Sequence, residues 1–159
     1  MSDYRNNHEE TTVVVRDGNP VTVEWSEVVV GDICLVENEE MFPADMILLC
    51  SSNDCGIAHI ETASLDGEKN LKPRNAYPQT YELSDTLLSA IKGTFSGDEP
   101  NKNLHEFSGE IKLVSGELIV LSGDKQLLYR GARLKNTKQI YGLVIYTGKN
   151  TKIILNSES

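Results

Sequence analysis

The residues best suited to chemistry are three consecutive ones, Asp66, Gly67 and Glu68, which follow a strand-like segment at residues 57–62. An aspartate side chain can bond the backbone two residues further on, while glycine adopts a positive φ and lets a partner approach closely. The pattern predicts a turn that presents the Glu68 carboxylate. Such acidic strings also occur in ordinary solvated turns. The carboxylate becomes catalytic only when another domain supplies an electrophile.

Other kinds of active site find little support in the sequence. His8, His59 and His105 lie in unrelated contexts, so no serine or cysteine has a recognisable histidine partner. No glycine-rich loop leads into Lys-Ser/Thr, and no dinucleotide-binding fingerprint occurs. The acidic turn lacks the alternating Asp/Asn ligands of a calcium loop. The chain is therefore expected to hold neither a cofactor nor a metal, and it cannot hydrolyse ATP alone.

Composition indicates one globular domain. The chain has 159 residues, of which 39% are hydrophobic and 25% charged, and its apolar runs, such as residues 28–30 and 46–50, are too short to cross a bilayer. A net charge of −9 argues against nucleic acid and anionic lipid head groups as partners. Cys34, Cys50 and Cys55 are odd in number and lack metal-ligand spacing, which fits a reducing, cytosolic setting.

Short strands separated by turns must position the acidic turn. Alternating residues predict a hairpin over residues 13–25 with its turn at residues 17–20. Further strands are predicted at residues 33–36, 46–50, 57–62, 109–113, 117–121, 126–129 and 140–146. One helix is predicted at residues 84–92, with Ser84 as its N-cap and Gly93 as the residue that ends it. The predicted fold is mainly β, a distorted jelly roll or β-sandwich with that one short helical insert.

Five strings in the same order resemble the actuator domain of P-type ATPases, and specifically the P4 class, the phospholipid flippases. They are residues 30–33 (Val-Gly-Asp-Ile), 42–49 (Phe-Pro-Ala-Asp-Met-Ile-Leu-Leu), 60–72 (Ile-Glu-Thr-Ala-Ser-Leu-Asp-Gly-Glu-Lys-Asn-Leu-Lys), 128–137 (Leu-Tyr-Arg-Gly-Ala-Arg-Leu-Lys-Asn-Thr) and 146–152 (Tyr-Thr-Gly-Lys-Asn-Thr-Lys). The resemblance covers nearly the whole chain.

The resemblance implies an organisation and a set of partners. Residues 1–10 would be a polar linker from a membrane helix, residues 11–153 the actuator domain, and residues 154–159 the start of the linker to the next membrane helix. The chain would be an excised loop between the second and third membrane helices, on the cytosolic face of a membrane. Its partners would be the phosphorylation and nucleotide-binding domains of the same chain and the membrane helices, with an accessory membrane glycoprotein subunit as a further candidate and no nucleic acid.

The resemblance also implies roles for the acidic turn. The whole protein would be an ATP-dependent phospholipid translocase that uses ATP and Mg²⁺ and forms an aspartyl phosphate on its phosphorylation domain, whereas the isolated domain would be inactive. Glu68 would orient and deprotonate the water that hydrolyses this phosphate, Gly67 would let the backbone come close, and Asp66 would shape the turn. Rotation of the domain would couple hydrolysis to lipid movement.

Lys69 departs from the family pattern, because the flippase loop normally reads Asp-Gly-Glu-Thr. Its ammonium group could attract phosphoryl oxygens, or it could neutralise Glu68 and crowd the docking surface. The hypothesis is that Lys69 alters hydrolysis. It keeps open an alternative function, a flippase-like regulatory module with impaired turnover, for example one fused to a guanylate cyclase.

Other residues also match family positions. Arg130-Gly131 and Asn136-Thr137 are interpreted as structural, at a strand end, a turn and surface contacts. Residues 149–152 are expected to lead back towards the membrane.

Overall fold

The computed structural model describes residues 10–16, 19–77, 94–97, 108–112, 118–122 and 125–147. Within them lie twelve strands and one short α-helix. In chain order they are β1 Thr11–Arg16, β2 Asn19–Glu24, β3 Ile33–Glu37, β4 Asp45–Ser51, β5 Ile57–Glu61, α1 Ala63–Asp66, β6 Lys72–Asn75, β7 Thr94–Gly97, β8 Ser108–Lys112, β9 Leu118–Ser122, β10 Leu127–Leu128, β11 Arg133–Lys135 and β12 Gln139–Tyr146. Single 3₁₀ turns occur at Trp25–Glu27 and Asp54–Gly56.

The strands form three antiparallel sheets. The largest has six strands in the order β10-β4-β12-β3-β1-β2, with β12 paired to both β3 and β4. A second sheet has the order β11-β5-β6, and a third the order β7-β8-β9. The second sheet positions the acidic turn, because β5 leads into the turn and β6 leaves it. The predicted mainly β class is confirmed.

Strand β4 supplies much of the hydrophobic core. Successive residues of a strand point to opposite faces of its sheet, yet Met46, Ile47, Leu48 and Leu49 are all buried. Both faces of β4 are therefore covered, as its unbroken apolar sequence predicts. Phe42, Ile60 and Leu127, which lie outside β4, are also fully buried.

The predicted N-terminal hairpin is present, and only part of one face is buried. Val14 and Val21 are cross-strand partners, so both point to the same face as Val23. Val14 and Val23 are buried, whereas Val21 is 41% exposed. Trp25, predicted to continue the alternation, lies in the 3₁₀ turn after β2, where the Glu27 carboxylate accepts a hydrogen bond from the Glu24 amide.

Several predictions fall partly or wholly outside the described residues. The predicted helix at residues 84–92 and the stretch at residues 149–152 lie there, as do most of the residues assigned to the two linkers. The strands predicted at residues 109–113 and 117–121 correspond to β8 and β9, shifted by one residue. No helix in the described part of the chain has the length and apolar character needed to span a membrane.

Candidate functional site

The acidic loop, residues 62–72, begins with a single helical turn. The amides of Leu65 and Asp66 donate to the Thr62 carbonyl at 2.9 and 3.0 Å, and the Gly67 amide donates to the Ala63 carbonyl at 2.9 Å. Gly67 then adopts the left-handed conformation, with φ of 77°, which ends the helix. The sequence predicted the positive φ of Gly67 but only a turn, not the helical turn α1.

The Asp66 carboxylate organises the loop by accepting hydrogen bonds from three directions. Its donors are the Thr62 hydroxyl at 3.0 Å, the Glu68 amide at 2.9 Å and the Lys72 ammonium at 2.8 Å. The bond from the amide two residues on is the one that the sequence predicted. Desolvation acts to raise the pKa of Asp66, but the bonds from Lys72, the Glu68 amide and Thr62 together hold the pKa below its ordinary value.

Lys72 is the cation that pairs with Glu68. Its Nζ lies 2.9 Å from Glu68 Oε2, 2.8 Å from Asp66 Oδ2 and 2.9 Å from Thr62 Oγ1. Desolvation acts to lower the pKa of Lys72, but its bonds to the two carboxylates raise the pKa overall. Among the described residues, no ion pair joins Lys69 to Glu68, and Lys69 is exposed.

Sequence reasoning did not single out Lys72. Its spacing of four residues from Glu68 is a signal for pairing when both residues lie in one helix. Here α1 ends at Asp66, so the contact depends on the path of the chain into β6 and could not be derived from spacing.

One side-chain bond ties the acidic loop to a second matched string. The Ser64 hydroxyl donates to the Gly131 carbonyl at 2.8 Å. The Gly131 amide in turn donates to the Phe42 carbonyl at 3.0 Å, and the Phe42 amide donates to the Ala132 carbonyl at 2.9 Å. Residues far apart in sequence therefore form one backbone-bonded support for α1.

A buried carboxylate completes this support. Asp45, only 1% exposed, accepts a hydrogen bond from the Arg130 amide at 3.0 Å. The Arg130 guanidinium stacks over the Trp25 ring, 5.5 Å from the ring centre. These contacts give Arg130 a structural role, as interpreted from the sequence.

Thr137 also has a structural role. It is buried, and its hydroxyl oxygen accepts from the His59 amide at 3.2 Å and from Asn53 Nδ2 at 3.3 Å. The same hydroxyl donates to the Lys135 carbonyl at 2.8 Å, within a turn where Asn136 has a φ of 47°. The pair Asn136-Thr137 thus links β11 to β5 and does not approach Glu68 through any of these bonds.

The acidic loop does not line the cleft beside Trp25 and Arg130. A cleft of about 360 Å³ is lined by Glu10, Trp25, Ser26, Val28, Pro43, Arg130 and Thr147, none of which belongs to the loop. The Glu68 side chain is 59% exposed. The loop is therefore suited to act on a group brought by a partner rather than on a small molecule enclosed by this chain.

Neither metal binding by the described residues nor thiolate chemistry at Cys34 gains support from the structure. They contain no group of three or more His, Cys, Asp or Glu side chains able to hold a metal ion. Burial, with a smaller effect from the neighbouring Asp32 carboxylate, raises the pKa of the Cys34 thiol to about 12, so this thiol stays protonated at neutral pH.

Comparison with known proteins gives consistent matches. The family model described as the P-type ATPase actuator domain matches residues 6–154. The chain is 42% identical over 138 residues to phospholipid-transporting ATPase C887.12 of Schizosaccharomyces pombe, covering 86% of this chain and 11% of that protein. It is 41% identical over 146 residues to phospholipid-transporting ATPase tat-1 of Caenorhabditis elegans, covering 91% of this chain and 13% of that protein.

A solved structure is similar in fold. The crystal structure of a zinc-transporting PIB-type ATPase in the E2.Pi state matches with a TM-score of 0.53 and 16% sequence identity, covering 96% of this chain and 16% of that one. At this identity the match shows the fold alone. The chain thus spans between about one tenth and one sixth of the proteins that it matches.

Proposed function

Because the chain belongs to the P-type ATPase actuator domain family, we propose that it promotes hydrolysis of an aspartyl phosphate carried by another domain of the same protein. The similarity to proteins named as phospholipid-transporting ATPases supports a second step, that the whole protein translocates phospholipid. ATP and Mg²⁺ would be used by the whole protein and bound by its other domains. The isolated domain would then be inactive.

The observation that carries this proposal is the placement of Glu68. Its carboxylate is 59% exposed, comes directly after the left-handed Gly67 and forms an ion pair with Lys72 at 2.9 Å. An exposed carboxylate held by its neighbours suits a base that must meet a phosphoryl group on a partner surface.

The proposed reaction needs no group from this chain other than Glu68. The oxygen of a water molecule attacks phosphorus in line while Glu68 accepts one of its protons. As the new P–O bond forms, the bond between phosphorus and the aspartyl oxygen breaks. The products are a free aspartate carboxylate and inorganic phosphate, and the proton then leaves Glu68 for solvent.

Asp66 and Gly67 have supporting roles in this proposal. Asp66 fixes the backbone at Glu68 through the Glu68 amide. Apart from its two chain neighbours, no described residue has a heavy atom within 4 Å of a Cβ placed on Gly67, so the space beside this backbone is open to a docking partner. Glycine at this position would therefore serve both the turn and the close approach.

Lys69 would slow hydrolysis in this protein. It is exposed and directly follows Glu68, so a long cationic side chain stands where the family pattern has a short hydroxyl. Since Glu68 is already paired with Lys72, a second ammonium group there would mainly crowd the docking surface. Lys69→Thr in the full-length protein should then speed the decay of the phosphoenzyme, and an unchanged rate would make Lys69 incidental.

In the whole protein the domain would lie on the cytosolic face of a membrane, linked to the membrane helices. It would dock on the phosphorylation and nucleotide-binding domains, and its rotation would couple hydrolysis to lipid movement. An accessory membrane glycoprotein subunit remains a candidate partner. The matches give no support to the alternative of a regulatory module fused to a guanylate cyclase, and we do not propose it.

The experiment uses the full-length protein, labelled with γ-³²P-ATP and then chased with unlabelled ATP. Glu68→Gln should still form the phosphoenzyme but lose it ~10²- to 10⁴-fold more slowly, the usual contribution of a general base. Glu110→Gln, which removes an exposed carboxylate from β8, is the control and should decay at the normal rate. Normal decay in Glu68→Gln would refute the proposed role.

A further inference from the structure

Lys72 joins three parts of the acidic loop through one ammonium group. Its three acceptors are the Thr62 hydroxyl before α1, the Asp66 carboxylate at the end of α1 and the Glu68 carboxylate beyond it, all within 2.9 Å. An ammonium group has three N–H donors, so this set uses all of them. The Lys72 side chain is 23% exposed, much less than Glu68 at 59%.

This arrangement restricts Glu68 before any partner arrives. A free glutamate side chain loses rotamer entropy when it is fixed in one orientation. A single exposed ion pair rarely outweighs such a loss, but Lys72 is itself held by Asp66 and Thr62. Glu68 therefore pairs with an ammonium group that is already in place.

The same contact changes the charge that the loop presents. Asp66 and Glu68 carry two negative charges and a phosphoryl group is also an anion, so docking brings these like charges together, although Lys69 adds one exposed positive charge beside Glu68. The Lys72 ammonium lies between the two carboxylates and offsets one of these charges. Without Lys72, no cation would be bonded to the two carboxylates, and their repulsion of the phosphoryl group would be stronger.

We propose that Lys72 is a positioning residue for dephosphorylation, which holds the Glu68 carboxylate in its docking orientation and offsets the repulsion between the loop and the phosphoryl group. This inference rests on the proposed function of Glu68. Lys72 does not contact the reacting atoms, and it acts on the orientation of Glu68 and on the charge of the loop. A purely structural lysine would stabilise the loop without either effect.

The test measures phosphoenzyme decay in the full-length protein for Lys72→Met, Lys72→Arg and Glu68→Gln. Lys72→Met should slow the decay ~10- to 100-fold, since small misplacements of a catalytic group cost up to ~10²-fold. Lys72→Arg keeps a cation that can bridge two carboxylates, so it should stay within a few-fold of the normal rate. Lys138→Met removes an exposed lysine from the turn before β12 and is the control.

Ionic strength supplies a readout that a structural role would not change. Salt screens the repulsion between exposed charges, so added salt should speed the decay in Lys72→Met relative to the normal protein. If Lys72→Met does not fold, Lys72→Gln replaces it, with the same expected slowing and salt response.

The outcomes separate this inference from the proposed function. Normal decay in the Lys72 variants together with slow decay in Glu68→Gln would overturn the role of Lys72 alone. Normal decay in Glu68→Gln would overturn the proposed function itself. Equal slowing in Lys72→Arg and Lys72→Met, with no salt response, would reduce Lys72 to a structural residue and also overturn the inference.

Discussion

The acidic loop and the support beneath it both match family strings, yet they differ in burial and in the kind of hydrogen bond that holds them. In the loop, residues 62–72, polar side chains bond to one another near the surface and Glu68 is 59% exposed. In the support, residues 42–45 and 129–132, Phe42 and Asp45 are buried and the bonds are mostly between backbone groups. The Ser64 hydroxyl joins the two regions.

This difference shows that a motif match does not by itself assign a role. A buried residue in a matched string is retained by packing and by the cost of leaving a polar group unpaired. An exposed carboxylate contributes little to folding, so packing and burial do not explain why glutamate stands at position 68. Phe42 and Asp45 therefore belong to the fold, and the role proposed for Glu68 rests on its exposed placement and on the family match.

The largest expected effect on stability lies in the support. Phe42→Ala should lower the free energy of unfolding by ~3–5 kcal/mol, because the ring is fully buried and its removal leaves a cavity. Glu68→Ala should change it by no more than ~1 kcal/mol, since it breaks only a partly exposed ion pair. Urea unfolding of the chain measures both. Equal losses of unfolding free energy would mean that the two regions do not differ in their contribution to stability.

The local features of both regions could be predicted from sequence. The apolar run at residues 46–50 predicted a strand covered on both faces, and the Asp66-Gly67 pair predicted a positive φ and a bond to the Glu68 amide. Each of these depends on neighbouring residues and on the intrinsic preferences of side chains.

The contacts that join distant parts of the chain could not be predicted. The bond from Ser64 to Gly131 spans 67 positions, and the stacking of Arg130 on Trp25 joins the segments that follow β10 and β2, the two edge strands of the six-stranded sheet. The pairing of Lys72 with Glu68 depends on the helical turn α1. This turn cannot be predicted from its four residues, because such a short helix is unstable in isolation. Tertiary structure decides these features.

Alanine substitutions at two glycines, one in the acidic loop and one outside it, should have effects of intermediate size. Gly67 and Gly31 have φ of 77° and 97°, and a Cβ on either would meet no heavy atom within 4 Å. Alanine at either position should therefore cost ~1–2 kcal/mol of stability from backbone strain alone. Only Gly67→Ala should also slow phosphoenzyme decay in the full-length protein, by up to ~10²-fold, since it moves Glu68 and fills the docking space. Similar slowing in Gly31→Ala would attribute the effect to strain.

The smallest expected effect is the pH dependence of the loop. The pKa of Asp66 is lower in the folded chain than its ordinary ~3.9, so its contribution to stability is fully present above that value and is lost as pH falls through the folded pKa. The pKa of Lys72 is raised, so its contribution is present below ~10.4 and is lost as pH rises through the folded pKa.

Asp66→Asn should accordingly destabilise the chain at pH 7 and much less at the acid end of the range where the chain still folds. Urea unfolding of both proteins at each pH measures this difference, and Glu110→Gln controls for the loss of one exposed negative charge. An equal loss at both pH values would mean that Asp66 acts through shape and hydrogen bonding alone. The ionic link to Lys72 would then not distinguish the acidic loop from the support.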